Sequence, residues 1–258
     1  MIRRAAVLGA AFVGMTFLLL PVVAIFARVP LRQLIRQLGD PVVLDALRVS
    51  AETSAIAQAL VLLIGTPTAV VLARRFRGRE LLVSFVELPL VLPPAVAGIG
   101  LFAAYGRTGL LHTSIPFTKL AVVFAVALVS GPLYVRGAIA AFEGVDADIV
   151  AASRTLGAGP TRTFFRVVLP LARAGLAAGA VLALARGLGE FGATIMFAGS
   201  LQGVTQTLPV AVYTEFNVDF DVALSISALL VAMSAALLIT LKWRPSPSTS
   251  RFRFAASS

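Results

Sequence analysis

"GVDADIVAASRTLGAGPTRTFFRVVLPLAR", Gly144–Arg173, interrupts a chain otherwise built from long apolar runs. Asp146 or Asp148 is placed to cap a helix start. Ile149, Ala152 and Leu156 follow at i, i+3 and i+7, on one face of that helix. Gly157, Gly159 and Pro160 stop it. Thr161 is placed to cap a second short helix through Phe164, Phe165, Val168 and Leu169, ahead of Pro170. The segment is thus a compact helix–break–helix. Its apolar and aromatic groups stay exposed unless a lipid surface or another protein covers them.

What flanks the segment decides between those two covers. The chain has 258 residues, 59% of them apolar and 13% charged, about half the charge of a soluble domain. Six runs approach the roughly 20 apolar residues that a spanning helix needs: Ala5–Ala27, Ala46–Ala73, Leu81–Ala104, Leu120–Ile139, Ala172–Ala198 and Val222–Leu241. The first follows Arg3 and Arg4 but is longer than a signal-peptide core, so it is expected to remain as an anchor. Lys and Arg between the runs fall unevenly. The N-terminus, Arg74–Arg79, Arg136–Arg173 and the tail from Lys242 hold fifteen; Arg28–Arg48, Arg107–Lys119 and Gly199–Asp221 hold six. The positive-inside rule places the first set, both termini and the Gly144–Arg173 segment in the cytoplasm. Arg28–Arg48, with four arginines, is the least regular outer segment. Residues 1–244 therefore read as one membrane domain and residues 245–258, rich in Pro and Ser, as a disordered cytoplasmic tail.

The same composition removes whole classes of chemistry. There is no cysteine and one histidine, His112, which leaves no His/Cys metal site and no thiolate. The net charge of +10 lies between apolar runs, where it sets orientation rather than binding nucleic acid. A P-loop requires Gly-Lys followed by Ser or Thr. Lys119 follows Thr118 and Lys242 follows Leu241, so this chain does not bind ATP in that way. Pro21, Pro67, Pro89, Pro93, Pro94 and Pro132 fall within spans, where each frees a backbone carbonyl.

One charged pair stands in the apolar stretch "ARGLGEFGATIMFAGS", Ala185–Ser200. Arg186 and Glu190 are one helical turn apart on one face. Each costs about 2.5–3.5 kcal/mol at membrane depth by insertion scales, which pairing partly offsets. Gly187, Gly189 and Gly192 leave room for another backbone. Two readings stand: an internal ion pair that fixes packing, or a polar pathway in which Arg186 meets an anion. In the second, Glu190 orients Arg186 or gates the path, and Thr194 offers a hydroxyl. Glu215, Asp219 and Asp221, in an outer segment without basic residues, are placed to meet a basic partner or simply to be solvated.

The Gly144–Arg173 segment resembles the cytoplasmic loop of ABC importer permeases, in which Glu-Ala-Ala, three residues, Gly, nine residues, Ile, any residue and Leu-Pro succeed one another. Gly157 matches the glycine, Val167 the isoleucine, and Leu169-Pro170 the end. Ala151, Ala152 and Ser153 stand where the family has Glu-Ala-Ala, so no salt bridge from the first position is implied, while docking is. "GEFGATIMFAGS", "TQTLPVAVY" (Thr205–Tyr213) and "LPLVLPPAVAG" (Leu88–Gly98) resemble the molybdate permeases of that superfamily. Sulfate permeases tend to carry Gly-Glu-Tyr-Gly-Ser where Phe191 and Ala193 stand here. The resemblance implies an all-α integral membrane protein with six transmembrane helices and a cytoplasmic coupling helix, the type I ABC importer permease fold. It implies coupling through Ala151, Ala152, Ser153, Leu156, Gly157, Phe164, Phe165, Leu169 and Pro170. It also implies a second permease copy, two ATPase subunits that hold ATP and Mg, and an extracytoplasmic oxyanion-binding protein. Molybdate is the expected cargo, with tungstate and then sulfate or thiosulfate as alternatives. A secondary transporter would show internal repeats, and a membrane enzyme would need a catalytic cluster; neither is visible.

Overall fold

The computed structural model describes residues 2–242; the tail expected to be disordered, 245–258, lies outside the described residues. Every regular element among them is helical. α1 (Ile2–Arg28) and the short α2 (Leu31–Gln37) lead into α3 (Pro41–Leu72). α4 (Arg79–Val91) and α5 (Pro94–Tyr105) precede α6 (Lys119–Glu143). α7 (Ala147–Thr155) and α8 (Pro160–Thr163) form the inserted segment, and a π-helical turn (Phe164–Val168) joins α8 to α9 (Leu169–Leu188). α10 (Gly192–Ala198), α11 (Leu208–Glu215) and α12 (Phe220–Lys242) complete the chain.

Five of the expected spans appear as helices long and apolar enough to cross a membrane; the sixth is the α4–α5 pair, bent by 112°. The bend corrects the continuous third run Leu81–Ala104. Pro93 and Pro94 both lack the N–H that would carry the helix through, and Pro94 instead starts α5. The fifth run, Ala172–Ala198, is likewise not one rod. It begins earlier and breaks over Gly189–Phe191. Arg48, expected in a loop, lies inside α3, which starts at Pro41 behind Asp40; the Asp40 carboxylate accepts from Val42 N–H at 2.8 Å.

α6 is the central helix, packed against both α3 and α9, which also touch each other. Lipid tails are as apolar as leucine, so close packing rather than the hydrophobic effect must hold such helices together. The sequence supplies it through small residues on α9. Gly175, Gly179, Ala183 and Gly187 recur every four residues and face α6. A Cβ on Gly175 would stand 2.6 Å from Ala141 Cβ, and one on Gly187 would stand 2.8 Å from Val126 Cγ1. On α3, Gly65 receives the Tyr134 ring of α6, whose hydroxyl is 2.6 Å from Thr66 Oγ1. Gln58 of α3 donates to Ala180 O of α9 at 3.1 Å.

Ion pairs mark the two ends of the bundle. At one end Glu52 accepts from Arg48 at 2.7 Å and from Lys119 at 2.6 Å, tying α3 to α6. At the other end Arg79 pairs with Glu143, and its Nε donates to Leu72 O at 2.6 Å. The inserted α7–α8 segment follows Glu143 directly, so it shares an end with the arginine-rich turn Arg74–Arg79.

Candidate functional site

The inserted segment is a hydrogen-bonded hairpin with exposed apolar side chains. Asp146 caps α7, accepting from Asp148 N–H at 2.8 Å. Leu156 closes the helix, and Gly157 takes φ +84°, the left-handed conformation that costs a glycine least. Ala158 N–H then reaches Ser153 O (3.1 Å) and Gly157 N–H reaches Arg154 O (2.9 Å), the hydrogen-bond pair that ends a helix before a left-handed glycine. Thr161 does not cap α8; Gly159 holds that position and Pro160 fills the first turn, where a missing N–H is harmless. Ser153 is partly turned inward, its Oγ 3.2 Å from the buried Thr163 Oγ1, which locks α7 onto α8. Ala151, Ala152 and Gly157 are exposed.

The two phenylalanines divide their work. Phe164 packs inward on Phe142 of α6, ring centroids 6.2 Å apart. Phe165 is 60% exposed, and Leu156 is 87% exposed. Phe164 is therefore a strut between the segment and α6, and only Leu156, Phe165 and their neighbours face outward. The helix does not stop before Pro170, as the sequence suggests. Leu169 N–H bonds back five residues to Phe164 O, and this π-turn carries the chain past the missing N–H of Pro170 into α9. Leu169 and Pro170 thus join the segment mechanically to the helix that carries Arg186.

At the far end of α9, Arg186 and Glu190 form the expected pair, Nη1 to Oε2 at 2.9 Å. The Glu190 side chain is 1% exposed and the Arg186 side chain 37%. The second carboxylate oxygen, Oε1, accepts from Ala193 N–H at 2.8 Å. Glu190 thus satisfies the start of α10 as well as Arg186, a role that sequence reasoning missed. A glutamate three residues ahead of an apolar run and bounded by Gly189 and Gly192 was the available signal. The glycines differ in use. A Cβ on Gly192 would stand 2.7 Å from Pro94 Cβ, and one on Gly98 of α5 would stand 2.7 Å from Ala193 O, so α5 and α10 touch backbone to backbone. Gly189 meets only the carbonyl of Arg186, at 3.9 Å, so no neighbouring helix requires a glycine there. Thr194 is fully buried, and its Oγ1 has no partner among the described residues.

Gly199–Asp221 is only partly the free loop that its composition suggests. Thr205–Leu208, Val210 and Ala211 are buried, and Leu208 N–H donates to Ser50 Oγ of α3 at 2.8 Å. Asp219 caps α12, accepting from Asp221 N–H (3.0 Å) and Val222 N–H (3.1 Å). The Glu215 carboxyl is held above the ordinary carboxylate range, first by burial, then by the negative charges of Asp40 and Asp219. Among the described residues, no group of three or more His, Asp or Glu comes together as a metal site.

A bundle of apolar helices, with a charged pair at the break between α9 and α10 and an exposed hairpin at one end, is consistent with a membrane transport subunit. The comparisons with known proteins make this specific. Residues 62–243 match the family profile described as "Binding-protein-dependent transport system inner membrane component". The chain belongs to that family and is a permease subunit rather than an enzyme. It is 43% identical over 238 residues to the molybdenum transport system permease protein ModB of Mycobacterium tuberculosis, covering 89% of this chain and 90% of that one. It is 34% identical to the molybdate/tungstate transport system permease protein WtpB of Pyrococcus abyssi, covering 88% and 89%. Among solved structures, the fold matches a bacterial alginate ABC transporter crystallised with its pentasaccharide-bound periplasmic protein. The TM-score is 0.73 at 12% identity, covering 93% of this chain and 94% of that one.

Proposed function

We propose that this chain is the membrane permease of an ATP-driven importer that moves molybdate, with tungstate as the next candidate, delivered by an extracytoplasmic binding protein. The observation that carries the substrate is the 43% identity to a molybdenum permease across nearly the whole length of both chains. The exposed Leu156–Phe165 edge supports a separate motor, because an apolar edge at the arginine-rich end of the bundle needs a cover. In this scheme both termini and the α7–α8 hairpin are cytoplasmic, as the distribution of Lys and Arg favours. Two copies of the chain share one pathway, and two ATPase subunits, which hold ATP and Mg, grip one hairpin each.

The π-turn and α9 link that grip to the charged break. Motion of the hairpin passes through the continuous helix Leu169–Leu188 to Arg186 and Glu190, which with Thr194 are the candidate pathway or gate. An ATPase can bias such an element only if it contacts its two states differently. Leu156 and Phe165 are placed to make that difference. The test is ATP hydrolysis by the reconstituted complex. Molybdate-loaded binding protein is expected to raise the rate several-fold over empty binding protein, with uptake into the vesicles. Stimulation by sulfate-loaded but not molybdate- or tungstate-loaded protein would reassign the cargo. No response to any of the three would remove the oxyanion altogether.

A further inference from the structure

Away from the charged break, where α5 turns into α6, a cavity of about 450 Å³ opens on the surface. It is lined by Phe102, Arg107, Thr108, Ser114, Pro116 and Phe117. The lining residues comprise one arginine, two hydroxyl-bearing residues and two phenylalanines, and no acidic residue. Arg107 enters no ion pair among the described residues. Lys119, the neighbouring cation, is already paired with Glu52.

The loop that builds this cavity is fixed rather than slack. Leu110 and Leu111 N–H donate to Ala103 and Ala104 carbonyls at 2.9 and 2.8 Å. Thr113 Oγ1 donates to Tyr105 O, and Thr118 Oγ1 to Ile115 O at 2.6 Å. His112 and Phe117 are held at φ +48° and +63°, a conformation that non-glycine residues keep only where their surroundings impose it. For Phe117 those surroundings are Phe197 and Phe102. Its N–H reaches Phe197 O at 3.3 Å, and its ring meets Phe102 edge-on at 6.0 Å. Phe102 in turn meets Phe197 of α10 at 6.5 Å.

We propose that this cavity binds a tetrahedral oxyanion, either free in solution or as the phosphate of a lipid headgroup. An arginine fork beside hydroxyl donors matches that shape and charge, and the absence of a lining carboxylate leaves the guanidinium available. The position at the Glu52–Lys119 end puts the site opposite the coupling hairpin, on the face that the permease reading assigns to the outside. The free-anion source rests on that reading; the headgroup source does not.

The experiment uses the assembled permease–ATPase complex in a phosphate-free detergent, without binding protein. Equilibrium dialysis with radiolabelled molybdate and with orthophosphate measures free-anion binding, and native mass spectrometry counts retained phospholipid. Wild type is expected to show saturable anion binding or a retained phospholipid. Arg107→Gln is expected to weaken that binding at least tenfold or to release the lipid, and Thr108→Val to do so in part. Anion binding identifies the first source and lipid retention the second. The site is overturned if Arg107→Gln matches wild type in both measurements. Should Arg107→Gln fail to assemble, Thr108→Val matching wild type in both would have the same force. A wild-type complex that binds anion through Arg107 yet imports no oxyanion would leave the site standing and remove the import reading instead.

Discussion

Leu156→Asp is expected to release the ATPase from this subunit while leaving the subunit's own yield unchanged. Leu156 is 87% exposed in the protomer, so the substitution breaks no internal contact. If a partner covers it, the loss is the burial of a leucine, about 1.5–3 kcal/mol, plus the cost of enclosing an unpaired carboxylate. Together these amount to roughly 100-fold or more in affinity. Co-purification of the ATPase through a tag on the permease measures the loss. Phe165→Asp should behave alike, from a side chain that is 60% exposed. Phe164→Asp should differ, because that ring sits against Phe142; it should reduce the yield of the permease itself. Normal co-purification with Leu156→Asp and Phe165→Asp together would show that the hairpin is covered by lipid.

The second large effect is an asymmetry within one ion pair. Arg186→Gln leaves Glu190, 1% exposed, with only the Ala193 amide as a partner. A buried charge stripped of its partner costs about 3–5 kcal/mol. Glu190→Gln removes the buried charge itself, and the glutamine carbonyl can still accept from Arg186 and from Ala193 N–H. Its cost should be nearer 1 kcal/mol, the net worth of a hydrogen bond. Arg186→Gln should therefore melt well below Glu190→Gln in a thermal assay of the purified complex, and the double variant should recover most of the difference. Equal melting of the two single variants would mean that Glu190 is not the buried anchor. Uptake separates structure from pathway: at a temperature where both variants are folded, a pathway role predicts that the Arg186→Gln double variant still fails to transport.

Most of the span pattern was legible in the sequence because a spanning helix writes itself as an uninterrupted apolar run. The runs fail where backbone chemistry competes with hydropathy. Pro93-Pro94 forces the bend between α4 and α5, and the Gly189–Phe191 break sits inside an apolar stretch that hydropathy averages through. The hairpin was legible for its own reason. Asp146, Gly157 and Pro160 are punctuation whose effect is local, and the structure uses each of them. What the sequence did not disclose depends on partners distant in the chain. Phe164 and Phe165 are adjacent and alike, and only α6 decides which one turns inward. The burial of Thr205–Ala211 depends on α3, more than 150 residues earlier, where Ser50 waits for the Leu208 amide. The second bond of Glu190 was within local reach, but its charge drew attention to Arg186 and away from the amide three residues on.

The central claim is that the α7–α8 hairpin is a cytoplasmic lever. The natural chain contains no cysteine, so a single Leu156→Cys creates one reactive thiol at the hairpin's most exposed large apolar side chain. A membrane-impermeant maleimide should leave intact cells unlabelled at this position and label it after permeabilisation, with the label blocked when the ATPase is co-expressed. Labelling of Cys-substituted Leu156 in intact cells would put the hairpin on the other side of the membrane and contradict the account.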